Sequence, residues 1–248
     1  MKTKEDILKA CTVDGLIVKL PNGKLDRNLY LDVAESLKLI GGKWKGGKIA
    51  GFIFQEDPTE LLTQIAKGGN RNLKKEFQFF GTPEKLADKL VSIADIKNSH
   101  KILEPSAGQG AIVDAIVRKI STIWVDCCEI MAINGNILAK HPNVHFICED
   151  FLKIPKQYEG YYDRIIANPP FSKNQDIDHV MKMYSLLKKG GMLVSITSKH
   201  WETSNNRKEK EFRDWLVNVT AYAETIPAGE FKESGTEVGG KILIINKK

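Results

Sequence analysis

The sequence predicts an α/β protein: a mostly parallel sheet with helices on both faces, preceded by a small α+β domain. Three observations point there. Residues 100–248 alternate short apolar runs with stretches of helical spacing, the pattern of strands buried on both faces under crossover helices. Residues 1–75 break that alternation, and the polar, basic, glycine-containing stretch KGGNRNLKK at 67–75 reads as a linker. The length of 248 residues suits one large core with a small appended module.

The elements follow in order. DRNLYLDVAESLKLI is a helix with Leu29, Val33, Ser36, Leu37 and Ile40 on one side. GGKWKGGKIAGFIF is a glycine-punctuated turn feeding a strand or hairpin. DPTELLTQIAK starts a helix at an Asp57 cap with Pro58 in the first turn. In the second half, HKILEPSAG is a strand running into a turn, and GAIVDAIVRKI a helix. STIWVDCCEI and MAINGNILAKH repeat the pair; VHFICEDF and YDRIIANPP are further strands. IDHVMKMYSLLKKGG reads as an amphipathic helix stopped by Gly190 and Gly191. GMLVSITS is a strand, EKEFRDWLVN a helix, and TAYAETIPA and GGKILIINKK the last strands.

Composition narrows the function. With 42% hydrophobic and 27% charged residues the chain is ordinary globular protein. No apolar run approaches the roughly 20 residues of a bilayer span, and the charged N-terminus lacks a secretory core, so a cytoplasmic location is expected. Cys127 and Cys128 are adjacent and point to opposite faces of a strand; Cys11 and Cys148 read as isolated. No Cys/His spacing offers a metal site, and the five histidines read as ordinary surface or core residues. The net charge of +6 favours a polyanionic partner.

The chemistry sits at the ends of the strands. In ILEPSAGQGAI, Gly108 and Gly110 close a strand-to-helix turn that lets a ligand approach the backbone. The third glycine of a dinucleotide fingerprint is missing, and Glu104 precedes the turn; that acid repels a phosphate and attracts an ammonium. Glu129 ends the next strand, where ribose hydroxyls are gripped in doubly wound sheets. Asp150 with Phe151 ends the third, an acceptor for an exocyclic amine beside an aromatic ring. Together they describe a pocket for a nucleoside attached to a zwitterion, which is S-adenosylmethionine.

The run Glu104-Pro105-Ser106-Ala107-Gly108-Gln109-Gly110, the strand-end acids and Asn168-Pro169-Pro170-Phe171 resemble the class I S-adenosylmethionine-dependent methyltransferases. Within them the chain is similar to the amino-group methyltransferases of DNA adenine. The resemblance covers residues 76–248 and implies a Rossmann-like class I methyltransferase fold. It implies cofactor contacts from Glu104, Pro105, Ala107, Gly108, Gly110, Glu129, Ile130, Asp150, Phe151 and Asn168. Phe80-Gly81-Thr82-Pro83 matches the family's segment over the methionine end, with Thr82 as contact to the cofactor carboxylate; the alternative is a plain helix cap at Thr82. In the implied reaction Asn168 and the Pro169 carbonyl accept from both N6 hydrogens of adenine, and Pro170 stiffens the turn. Phe171 stacks on a base flipped from the duplex. No general base and no metal are needed, and the product is S-adenosylhomocysteine.

Target contacts are expected from three places. The GGKWKGGK turn offers Lys43, Trp44, Lys45 and Lys48; the 199–212 stretch offers Trp201, Asn205, Arg207 and Lys208; Phe231 borders the target-base pocket. The family's usual long recognition region after the catalytic domain is not seen here, so residues 1–75, the 199–212 stretch or a partner subunit must read the target. The expected partner is DNA, with RNA adenine and a protein glutamine amide as alternative acceptors. A restriction enzyme is a compatible companion. A non-catalytic nucleic-acid-binding subunit is the alternative from another class; such subunits lose the asparagine or the glycine turn, and both stand here.

Overall fold

The structure is a computed structural model that describes residues 2–40, 42–54, 57–67, 81–231 and 239–248. The chain divides into two compact units, Met1–Phe77 and Gln78–Lys248. The stretch read as a linker lies almost wholly outside the described residues, and so does Phe80.

The first unit is α+β. Its elements are α1 (Lys4–Lys9), β1 (Thr12–Asp14), β2 (Ile17–Lys19), α2 (Arg27–Leu39), β3 (Lys43–Lys45), β4 (Gly51–Ile53) and α3 (Thr59–Lys67). The strands form one antiparallel sheet in the order β1-β2-β4-β3. Asp26 caps α2 by accepting from the amides of Asn28 and Leu29, and Asp57 accepts from Thr59 at the start of α3, as side-chain oxygens do where the first helical amides lack partners. Within the GGKWKGGK stretch Lys43–Lys45 form β3, which pairs with β4 as a hairpin. Ile7, Leu8, Val18, Val33, Leu37, Ile40 and Phe52 are fully buried and make this unit's core.

The second unit carries α4 (Glu84–Ile93), β5 (Ile102–Glu104), α5 (Ala111–Lys119), β6 (Val125–Cys128), α6 (Ala132–Leu138) and β7 (Val144–Cys148). Then come β8 (Tyr162–Ala167), α7 (Gln175–Leu186), β9 (Leu187–Thr197), α8 (His200–Thr203), α9 (Arg207–Asn218), β10 (Tyr222–Ile226) and β11 (Gly240–Asn246). The sheet order is β10-β11-β9-β8-β5-β6-β7. The strands from β7 to β9 are parallel, and β11 runs antiparallel to both β9 and β10. Two buried clusters flank the sheet. One holds Leu90, Ile112, Ile116 and Val194; the other holds Tyr162, Val180, Met183 and Phe212. This is the mostly parallel, two-sided Rossmann-like architecture that the alternation predicts. Cys127 belongs to the first cluster and Cys128 to the second, as adjacent residues on a strand must.

Two expectations are corrected. The helix over 175–186 does not run to Gly190; β9 begins at Leu187 and includes the Lys-Lys-Gly-Gly run. The reason is distant pairing: the Gly190 amide donates to Lys247 O at 2.7 Å and the Lys247 amide to Gly191 O at 2.9 Å. Gly190 takes φ +76 within the strand, which glycine tolerates. Cys148 is not isolated. Parallel pairing of β6 and β7 sets it opposite Cys128, Cα to Cα 4.9 Å, and the two are joined as a disulfide. Among the described residues no helix is long and apolar enough to cross a membrane.

Candidate active site

The strand order places four motif ends side by side. Chain direction is shared by β7, β6, β5 and β8, so Asp150, Glu129, the Glu104–Gly110 turn and Asn168 follow one another along the carboxyl edge. From β5 the connections run outward one way to β6 and β7, and the other way to β8 and β9. That reversal is the crevice where open α/β sheets bind ligands.

The turn after β5 is built for close approach. Gly108 has φ +56 and Gly110 φ +88, and a Cβ at Gly110 would lie 3.3 Å from Leu138 Cδ2. The Gly110 amide donates to Ala107 O, and the Ala107 amide to Cys128 O. Glu129 clamps this turn: its Oε2 accepts from the Gly108 amide at 2.7 Å and its Oε1 from the Met131 amide at 2.8 Å. Burial raises its carboxyl above the usual range, against those two bonds. A carboxylate has about four lone-pair positions, so Glu129 can hold the turn and still accept from a diol. Ile130, beside it, is 56% exposed.

Glu104 is the unusual member. It is 2% exposed and its Oε2 has no partner. Burial raises its carboxyl well above the ordinary range; a bond from the Val113 amide opposes this and the nearby Glu129 adds to it. An unsatisfied buried carboxylate oxygen is costly, and an ammonium placed against it would relieve that cost. Pro105 and Ala107 beside it are buried. These residues fit the amino-acid end of S-adenosylmethionine, while Glu129 and Asp150 fit its ribose and adenine. Among the described residues no group of His, Cys, Asp and Glu is placed to hold a metal ion.

Asp150 accepts from the Leu152 amide at 3.1 Å and pairs with Lys153 at 3.0 Å. Phe151 is 3% exposed and turns its ring into the core, 5.1 Å from His179. The sequence does not single out His179, a buried histidine whose Nδ1 lies 3.4 Å from Ser106 Oγ in the glycine turn. Burial depresses its pKa to about 4, so it is neutral in ordinary buffers. The one available signal was its place on the buried face of α7 with Asp176, Val180, Met183 and Leu186.

Asn168 leaves β8 into the two prolines. Its Nδ2 donates to Thr82 Oγ1 at 3.1 Å, which fixes the amide plane and makes the carbonyl oxygen its acceptor end. Thr82 does not cap α4; the cap position is Pro83 and no side chain closes it. The segment with Gly81 and Thr82 therefore reaches the Asn168 turn directly. Pro169 is buried, while Pro170 and Phe171 are half-buried. Lys173 and Asn174 follow with φ of +53 and +58, strained for residues with side chains.

Two buried carboxylates brace that turn. Buried Asp176 accepts from the Ser198 amide at 2.9 Å, and Glu209 (1% exposed) accepts from Asn174 Nδ2 at 2.8 Å and from Ser204 Oγ at 3.1 Å. Two expected nucleic-acid contacts, Trp201 and Phe231, are drawn into the protein instead, while Arg207 keeps its side chain 90% exposed. Trp201 is buried, its indole N–H bound to Thr197 Oγ1 and its ring edge-on to Phe212. Phe231 is buried in the first cluster. Lys208 pairs with Asp178 and Arg207 with Glu211, both at 2.6 Å; Asn205 is exposed. Trp201 and Phe231 are core residues in this structure, because large aromatic surface is worth more buried than in solvent. In the first unit Lys43, Lys45 and Lys48 are exposed, and Trp44, 45% exposed, packs edge-on against Phe52 at 5.1 Å.

A family model, the methyltransferase small domain, matches residues 84–225. A modification subunit from Vibrio vulnificus, provisionally assigned to a type I restriction enzyme, is 15% identical with TM-score 0.55, over 92% of this chain and 55% of its own. A provisionally assigned class I S-adenosylmethionine-dependent methyltransferase from Listeria monocytogenes is 12% identical with TM-score 0.55, over 76% of this chain and 66% of that one. TrmN from Thermus thermophilus is 18% identical with TM-score 0.50; the match covers 68% of this chain and only 50% of TrmN. At such identities the likeness is one of fold. No curated protein sequence matches the chain.

Proposed function

The chain belongs to the methyltransferase small domain family, and from that premise we propose that it transfers a methyl group from S-adenosylmethionine to the N6 amino group of adenine in DNA. The observation that carries this reading is the Asn168-Pro169-Pro170-Phe171 turn at the end of β8, next to the glycine turn of β5 and tied to Thr82. When bound, S-adenosylmethionine supplies an electrophilic methyl on sulfur. Glu104 holds its ammonium, Glu129 its ribose hydroxyls and Asp150 its adenine amine, beside Ile130.

The acceptor side follows from the weakness of the nucleophile. An aromatic amine delocalises its lone pair into the ring. The Asn168 carbonyl oxygen and the Pro169 carbonyl accept hydrogen bonds from its two N–H groups, so the nitrogen becomes more tetrahedral and its lone pair faces the methyl group. The N–C bond would form as the S–C bond breaks, S-adenosylhomocysteine would leave, and the surplus N6 proton would pass to solvent. Positioning and preorganised acceptors then supply the rate enhancement. Phe171 stacks on the target base, which must leave the duplex to be reached. His179, neutral and buried against Ser106, steadies the glycine turn rather than moving a proton. A neighbour that spans 92% of this chain being described as a modification subunit supports DNA as the polymer.

The test is transfer of labelled methyl from S-adenosylmethionine to undermethylated genomic DNA, duplex and denatured, with total RNA in parallel, read by nucleoside mass spectrometry. N6-methyladenine in DNA supports the reading. Label confined to RNA, or to a protein amide, overturns the substrate and keeps the chemistry.

A further inference from the structure

Strand alternation sorts the side chains of the N-terminal sheet. The pairs Trp44–Phe52 and Phe52–Val18 lie on one face, and Val18 and Phe52 are fully buried. On the other face Lys43 stands opposite Ile53, which stands opposite Ile17. One pleat along, Lys45 stands opposite Gly51. A Cβ at Gly51 would meet Lys19 Cγ at 3.2 Å and Ile17 Cγ2 at 2.9 Å, so the stem of Lys19 lies across β4, one strand from Lys45. The bare glycine is what admits that stem.

The result is a solvent-open sheet face carrying Lys19, Lys43 and Lys45, with Lys48 in the turn between β3 and β4. Among the described residues none of these lysines is in an ion pair. Among the described residues of the strands one carboxylate shares the face: Asp14, opposite Ile17 on β1. It occupies the far edge of the sheet, three strand spacings or about 14 Å from Lys43. That exceeds the Debye length of about 10 Å at 0.1 M salt, so Asp14 does little to offset Lys43 and Lys45 on the β3 edge; Lys19, on β2 beside β1, is the one lysine within its reach. Trp44 is excluded from this face by the pleat; it seals the hairpin against Phe52.

We propose that this face is a docking surface for the phosphate backbone of duplex DNA, the inference resting on the reading of DNA as the methylated polymer. Its charge is of one sign along one edge, its cations are uncommitted, and β3, as an edge strand, lies clear of other strands. Lysines on such a face bind phosphates without reading bases. The surface therefore supplies affinity and orientation, and leaves sequence choice to the catalytic unit.

The test compares the full-length protein with its Lys19→Gln/Lys43→Gln/Lys45→Gln/Lys48→Gln variant, using anisotropy of a labelled mixed-sequence DNA duplex over a range of salt. Each phosphate contact contributes a slope of about 0.9 in log affinity against log salt, so the variant should lose about 3 to 4 in slope and at least about tenfold in affinity near 0.1 M salt. Melting temperature and S-adenosylmethionine affinity should hold, and the fourfold Lys→Arg variant should keep the wild-type slope. An unchanged slope in a wild type that binds and methylates DNA overturns the docking face alone. A wild type that binds no duplex DNA and methylates another polymer overturns both readings.

Discussion

Glu104→Gln isolates the cofactor pocket from the rest of the fold. In the wild type, burial holds the Glu104 carboxyl well above its ordinary value of 4.5. The native state therefore keeps a proton that the unfolded chain releases as pH rises above about 4.5. Stability from this group is full below that point and falls as pH climbs toward the native value. Glutamine keeps a polar atom at the Oε2 position, so the scale comes from ionisation: each tenfold weakening of the native carboxyl is worth about 1.4 kcal/mol, and a carboxyl held well above its ordinary range costs the wild type about 2 kcal/mol or more once the unfolded chain is ionised. Glutamine never ionises, so at pH 8 the variant should gain about 2 kcal/mol on the wild type. That corresponds to roughly 4–8 °C in Tm for a unit of this size, and the gain should shrink at pH 5. The same change removes the partner of the ammonium. Losing one side of a buried charge pair costs about 2–5 kcal/mol, or at least about thirtyfold in affinity. Ligand at 100 times the wild-type Kd stabilises by about 2.7 kcal/mol; a thirtyfold weaker variant should keep about 0.9 kcal/mol of that. Scanning calorimetry of both proteins at pH 5 and 8, with and without S-adenosylmethionine, reads every quantity. A variant that melts lower at pH 8, or that keeps the full ligand shift, would refute the role given to Glu104.

Other perturbations probe the neighbouring positions. Asn168→Ala should lower methyl transfer by about 10²–10³-fold, the usual cost of one oriented acceptor or donor at a reacting centre, while calorimetric cofactor affinity stays near wild type; equal losses in both would place Asn168 in the cofactor site alone. Asp150→Ala should weaken cofactor binding by roughly ten- to a hundredfold, the worth of a hydrogen bond to a charged acceptor, and unchanged binding would move the adenine pocket elsewhere. Gly110→Ala forces a side chain into φ +88 and within 3.3 Å of Leu138; the left-handed backbone alone costs about 1–2 kcal/mol, seen as a Tm lower by roughly 2–8 °C, and an unaltered melt would contradict the geometry of the turn.

Local signals sufficed for most of the architecture. Buried strands announced themselves by apolar runs, and helices by their spacing and by caps such as Asp26 and Asp57. The motif residues became neighbours because each ends a strand, and strand ends in a parallel sheet share an edge. What local signals miss are partners far along the chain. Lys188 to Gly191 look like a helix terminus until the backbone of Lys247 pairs with them. Cys148 looks solitary until register brings it to Cys128. Trp201 and Phe231 look like tools for a base, but the core takes them. Lys19 carries no mark in the sequence that it faces the same way as Lys45; only the register across Gly51 tells.

The position of β11 bears on how the chain folds. It lies between β9 and β10, antiparallel to both, so β10 has no place in the sheet until the segment after it is available. During synthesis β5 through β9 can assemble first, since β5 to β8 pair only with one another and with β9, and β9 alone also pairs with β11. The β10–β11 hairpin then docks as a late piece along β9, reaching back across about fifty residues of sequence, a long-range closure of the slow kind. Until it docks, β9 offers an unpaired apolar edge, the sort of surface on which nascent chains associate. Completion of the sheet waits on that docking: β9, whose end leads into the Ser198 amide that braces the Asn168 turn, gains its second neighbour only when β11 pairs with it.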